Sequence, residues 1–152
     1  MSLSAIVKLG TIRAARKPRR PEQIVVGPLR PIAERVTLTL PVPPSVNNLF
    51  ANRASGGRFK SREYADWLVE AGWRIQAQKP ARIIGAYEMD LTIARPSHRR
   101  KVDISNRIKA IEDVLVSHCV IEDDSLCERL VMEWAPAGEG VLVTISKAAP
   151  RA

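Results

Sequence analysis

Eleven prolines punctuate this chain of 152 residues. Proline has no backbone N–H and a fixed φ, so it is excluded from helix interiors and from the middle of a sheet. The chain is therefore confined to short elements between these stops. Pro18, Pro21, Pro28 and Pro31 interrupt the first 34 residues, and Pro41, Pro43, Pro44, Pro80, Pro96 and Pro136 divide most of the remainder. No apolar run approaches the roughly 20 residues that a membrane-spanning helix needs. The first residues also lack the charged head, apolar stretch and small-residue cleavage site of a secretory signal. A cytoplasmic protein with no membrane partner is expected.

Within the segments the hydrophobic period alternates between two and about 3.6. Val36, Leu38 and Leu40 alternate with threonine or a neighbouring polar position, which predicts a strand over 36–40. Residues 45–58 are rich in turn formers and contain Gly56-Gly57, which predicts a long loop. Ser61 is placed to cap a helix running to about residue 78, with Tyr64, Trp67, Leu68, Ala71 and Ile75 on one face. A second strand is predicted over 87–95 and a second helix over 104–117, where Ile104, Ile108, Ile111 and Leu115 form the apolar stripe. Two further strands are predicted over 126–134 and 141–146. The order β-α-β-α-β-β predicts an α+β fold in which helices pack on a mixed sheet.

The basic excess is uneven. Residues 1–35 carry eight basic and two acidic side chains, whereas residues 36–152 carry 16 and 14. With 45% of residues apolar and 26% charged, the chain can bury a core in one domain. The boundaries expected are a basic, proline-containing extension over 1–34 without regular structure, a folded domain over 35–147 and a tail over 148–152. Such an arm suits the phosphate backbone of nucleic acid, where each neutralised phosphate releases counterions; the plainer alternative is that it only aids solubility. Cys119 and Cys127 are too few for an all-cysteine zinc site and are expected as buried or half-buried thiols. The three tryptophans are expected to serve in packing.

Carboxylates cluster in the second half. Asp103 precedes the second predicted helix, Asp113 lies within it, and Asp123-Asp124 follow at the next turn. Carboxylate oxygens are the ligands a hard divalent cation takes, and such a cation can activate water and stabilise charge on a phosphate under attack. Asn106, Lys109 and Asp113 are spaced by three and four residues and make one polar stripe. Lys109 is placed to neutralise charge in a transition state. Taken singly, each acid also has a structural explanation as a helix cap, a turn residue or part of a solvated face.

The order of these residues is more specific than any one of them. Pro43-Pro44-Ser45-Val46-Asn47, the basic turn Arg99-Arg100-Lys101, the run Asp103-Ile104-Ser105-Asn106-Arg107-Ile108-Lys109 with Asp113, and then Asp123-Asp124 together resemble the RusA family of Holliday junction resolvases. The resemblance spans about residues 36–146. It implies a homodimeric endodeoxyribonuclease that binds four-way junction DNA and, with Mg²⁺ or alternatively Mn²⁺, nicks two opposing strands symmetrically, with no further small-molecule cofactor. By position it implies Asp103, Lys109 and Asp124 as catalytic residues, and Asp103 and Asp124, with Asp123 beside them, as metal ligands. DNA contacts are expected at Asn47, Arg99, Arg100, Lys101, Asn106 and Arg107. The pattern departs at Ser105, where the family's usual run has a further metal-binding aspartate. Two alternatives therefore stand beside the nuclease: a RusA-like protein that binds branched DNA but cuts it weakly or not at all, and a basic RNA-binding module.

Overall fold

The computed structural model describes residues 30–96, 101–136 and 138–150. In chain order the elements are β1 (Arg35–Leu40), β2 (Phe50–Asn52), β3 (Arg58–Lys60), α1 (Arg62–Gln78), β4 (Tyr87–Ala94), α2 (Ile108–Ser117), β5 (Cys127–Ala135) and β6 (Val141–Lys147). Three 3₁₀ turns, Val46–Asn48, Ile104–Arg107 and Asp124–Leu126, join them. The chain is thus an α+β protein built on a mixed sheet with two helices.

The main sheet has the order β1-β6-β4-β5. β6 pairs antiparallel with β1 and with β4, whereas β4 and β5 are parallel. Period-two alternation is the reason one face is apolar: Val36, Leu38 and Leu40 of β1, Val141, Val143 and Ile145 of β6, and Tyr87, Met89, Leu91 and Ile93 of β4 are all buried. Tyr64, Trp67, Ala71 and Ile75 from α1 and Ala110, Ile111, Val114 and Leu115 from α2 complete the same core. Parallel strands need a crossover, and α2 lies in the one between β4 and β5.

Several elements differ from the sequence expectation. The predicted loop over 45–58 contains an antiparallel hairpin, β2 paired with β3. Gly56 and Gly57, both at positive φ, supply its reversal. The second predicted helix divides. Asp103 accepts hydrogen bonds from the backbone N and hydroxyl of Ser105, and this tight two-residue closure favours a 3₁₀ turn before the α-helical hydrogen bonds begin at Ile108. Residues 30–34, assigned by sequence to the extension, run against the domain. Ala33 donates to Arg82 O, Arg82 N donates to Pro31 O, and Arg30 bonds the carbonyl of His118. Backbone pairing, which carries no side-chain signature, secures them there. Both thiols are free, but Cys119 is exposed where a buried or half-buried thiol was expected, because it occupies a left-handed turn directly after α2. Among the described residues no helix is long and apolar enough to cross a membrane.

Caps and side-chain ties hold the proline-rich segment between β1 and β2. The Ser61 hydroxyl accepts from Tyr64 N at the start of α1 and donates to Asn48 O. Trp67 Nε1 donates to Pro41 O, and Gln78 clasps both backbone groups of Thr39. The Pro41 carbonyl is thus satisfied by a side chain from the core-facing helix.

Gly140 closes the turn into β6 at φ +78°, and a Cβ there would lie 2.5 Å from Leu40 O. Gly140→Ala is expected to lower stability by about 1–3 kcal/mol from the left-handed backbone alone, with the clash adding to it. The check is a lower urea midpoint with an unchanged slope.

Candidate nuclease site

The crossover positions a compact charged group. Lys109, in the first turn of α2, places Nζ 2.8 Å from Asp113 Oδ1 one helical turn later and 3.1 Å from Asp124 Oδ2 in the 3₁₀ turn before β5. The Tyr64 hydroxyl, from α1, donates to the other oxygen of Asp113 at 3.4 Å. Three segments that are distant in the chain therefore meet around one ammonium. Its hydrogen bonds to Asp113 and then Asp124 raise the Lys109 pKa above the ordinary lysine range. The side chain is nonetheless about half exposed, at 48%. It is a permanent cation that a solvent-borne polyanion can reach.

A second group lies in an open cleft of roughly 860 Å³ between the proline-rich segment and the 3₁₀ turn before α2. Asn47, Lys101, Asp103, Asn106 and Arg107 line it. Asp103 and Ser105 are joined through the Ser105 hydroxyl, 2.8 Å from Asp103 Oδ1. The residue that departs from the RusA pattern thus donates to the acid beside it. Arg107 turns back to bond Pro43 O, and burial lowers its guanidinium pKa. Arg107, expected among the DNA contacts, lines this cleft and also ties the 3₁₀ turn to the proline segment through that hydrogen bond.

The expected residues are therefore distributed as follows. Lys109, Asp113 and Asp124 converge, while Asn47, Lys101, Asp103 and Asn106 share the cleft. Asp123 does neither. Its carboxylate caps the turn by accepting from Ser125 N at 2.8 Å, and the hydrogen bonds from Ser125 hold its pKa below the ordinary range. Arg99 and Arg100 lie outside the described residues. Among the described residues no three acidic, histidine or cysteine side chains gather as a cation cluster. Each carboxylate has its own donor: the Ser105 hydroxyl and amide for Asp103, the Ser125 amide for Asp123 and the ammonium for Asp124. The donor chemistry itself fits a hard divalent ion. Oxygen ligands are available, Mg²⁺ needs only one or two carboxylates from a protein, and Asp113 and Asp124 already share a cation in Lys109 Nζ.

Two neighbours escaped the sequence reading. Glu112 is half-buried, and burial, followed by the negative charge of Asp124, raises its carboxyl pKa. Its spacing of three from Lys109 could have assigned it to the polar stripe. Tyr64 had no such signal, because its contact with Asp113 spans 49 residues.

Comparison with known proteins gives the family. Residues 41–146 match the family described as endodeoxyribonuclease RusA, and the chain belongs to that family. It is similar to the crossover junction endodeoxyribonuclease RusA of Aquifex aeolicus (strain VF5), with 33% identity over 109 residues that cover 70% of this chain and 84% of that protein.

Burial, and then the charge and hydrogen bond of Asp113, raise the Tyr64 phenol from 10.0 to about 12. The folded state holds this proton over a range in which the unfolded chain releases it, so the associated stability is complete below pH 10 and is lost as pH rises towards 12. Asp113→Asn is expected to move the phenolate transition only part of the way down, since burial persists. Ultraviolet titration of the two proteins measures this.

Proposed function

We propose that this protein is a structure-selective endodeoxyribonuclease that hydrolyses phosphodiester bonds at Holliday, or four-way, junctions in the cytoplasm during recombination and repair. In this reading it acts as a homodimer that makes paired, symmetric nicks with Mg²⁺, or with Mn²⁺ in its place. The observation that carries the reading is the ammonium of Lys109 held between two carboxylates. On a chain of the RusA family, a cation so placed is suited to neutralise the charge that develops on a phosphate under attack.

Lys109 remains protonated at neutral pH, so its charge is present before the phosphate arrives and needs no reorganisation when negative charge develops there. Asp113 aims it, and the Tyr64 hydroxyl steadies Asp113. The cleft receives the sugar-phosphate backbone through Lys101, Asn47 and Asn106, with Arg99 and Arg100, which precede Lys101 in the sequence, as further DNA contacts. Asp103 and Asp124 would hold the divalent ion, with Asp123 beside them, and the ion when bound supplies a Lewis acid for the attacked phosphate. Asp124 already accepts from Lys109 at 3.1 Å, so the same carboxylate would serve both the ion and the ammonium. The basic residues among 1–29 would add a phosphate attraction that falls with salt.

The hydrogen bond between Ser105 and Asp103 supports a second reading, a family member that binds branched DNA and cuts it weakly. A neutral hydroxyl stands where another acid would increase affinity for the metal.

A synthetic four-way junction, a plain duplex and a metal titration separate the readings. Asp103→Asn and Asp124→Asn are each expected to abolish nicking while junction binding persists, and wild-type cutting by either variant in Mg²⁺ would defeat the assignment. Excess chelator should stop cleavage. In the second reading the wild-type protein binds junctions without nicking them across Mg²⁺ and Mn²⁺, and Ser105→Asp restores cutting.

A further inference from the structure

The hairpin β2–β3 stands outside the main sheet, and its surface is unusual for so short an element. In the observed register Phe50 lies opposite Lys60 and Asn52 opposite Arg58 on one face, with Ala51 opposite Phe59 on the other. Phe50 and Phe59 are 39% and 40% exposed. Each is covered on one side by a guanidinium: Arg58 lies 5.2 Å from the centroid of Phe50 and Arg53 lies 5.6 Å from that of Phe59. Both distances fall within the range of cation–π attraction. Phe50 also meets the Tyr64 ring edge-on at 5.8 Å, which leaves Phe59 as the ring with no aromatic neighbour among the described residues.

The charge is one-sided. No acidic residue occurs between positions 45 and 62, and among the described residues neither Arg53 nor Arg58 has a carboxylate partner. Phosphate attraction alone would account for the arginines. It would not account for two exposed rings, which gain nothing from a fully stacked duplex whose base faces are hidden. Rings flanked by guanidinium groups suit a polyanion with its bases unstacked.

We infer that the β2–β3 hairpin is a stacking site for unpaired nucleotides of DNA, with Phe59 receiving a base, Arg53 beside it holding the adjoining phosphate, and Arg58 and Lys60 on the other face adding to the attraction for the strand. This rests on the nuclease reading only in naming the junction centre as the source of such nucleotides. The hairpin is joined to the proposed catalytic group through its other face, where Phe50 packs on Tyr64 and Tyr64 bonds Asp113. An unpaired nucleotide held here would fix the branch point relative to Lys109.

Fluorescence anisotropy with chelator present measures binding without cleavage. The probes are labelled oligothymidine of about 20 nucleotides, longer than a single stacking site needs, a perfect duplex of the same length and a four-way junction. Phe59→Leu keeps apolar bulk but removes the π face, and Phe59→Tyr retains that face. Phe59→Leu is expected to weaken oligothymidine and junction binding about tenfold, as loss of one base stack does, while duplex affinity changes little and Phe59→Tyr binds as wild type. Equal binding of oligothymidine by Phe59→Leu and wild type overturns the inference. So does a loss of the same size on all three probes, or failure of the wild type to bind oligothymidine. Phe59-dependent binding of oligothymidine by a wild type that neither prefers nor nicks the junction keeps the hairpin site and overturns the nuclease reading instead.

Discussion

Parallel pairing of β4 with β5 is the constraint on which the candidate site depends. Two parallel neighbours cannot be joined by a tight turn, so the chain must leave the sheet and return. That excursion contains the 3₁₀ turn with Asp103, the helix with Lys109 and Asp113, and the turn with Asp123 and Asp124. Ile111, Val114 and Leu115 anchor it by burial on the sheet's apolar face. The polar side of the same helix is thereby held outward. Core packing and site geometry are two faces of a single element.

The acids near Lys109 occupy environments that differ in charge and solvation. Asp113 is fixed by two donors, Lys109 and Tyr64, and Asp124 by Lys109. Glu112 is held where burial and a neighbouring negative charge favour its neutral form. Asp123 is fully solvated, and Ser125 stabilises its charged form. Local donors thus set which carboxylates are committed and which are free to meet an incoming cation. Ser105 belongs to the same account, because its hydroxyl occupies an oxygen of Asp103 that would otherwise face solvent.

Much of the fold was legible in the periodicity. Alternation located β1, β4, β5 and β6 to within about a residue or two, and the Ser61 cap with its apolar stripe located α1. The hairpin was hidden because β2 and β3 are three residues each and both are largely exposed, so neither has an apolar face to reveal a period of two. The division of the second helix was hidden because its apolar stripe runs unbroken from Ile104 to Leu115. A side-chain hydrogen bond, rather than hydrophobicity, decided where the α-helix begins.

By itself the amino-acid order determined the number of long elements, the placement of the charge and the sequence of motif residues that marks the RusA family, since these follow from local spacing and residue type. Only the tertiary structure decided which carboxylates share Lys109, that Arg107 bonds the proline segment, and that Phe50 and Phe59 remain exposed on a separate ribbon. Each of these is a contact or an exposure across chain segments whose pairing depends on how strands register and how helices pack. Spacing along the chain carries no record of such distances.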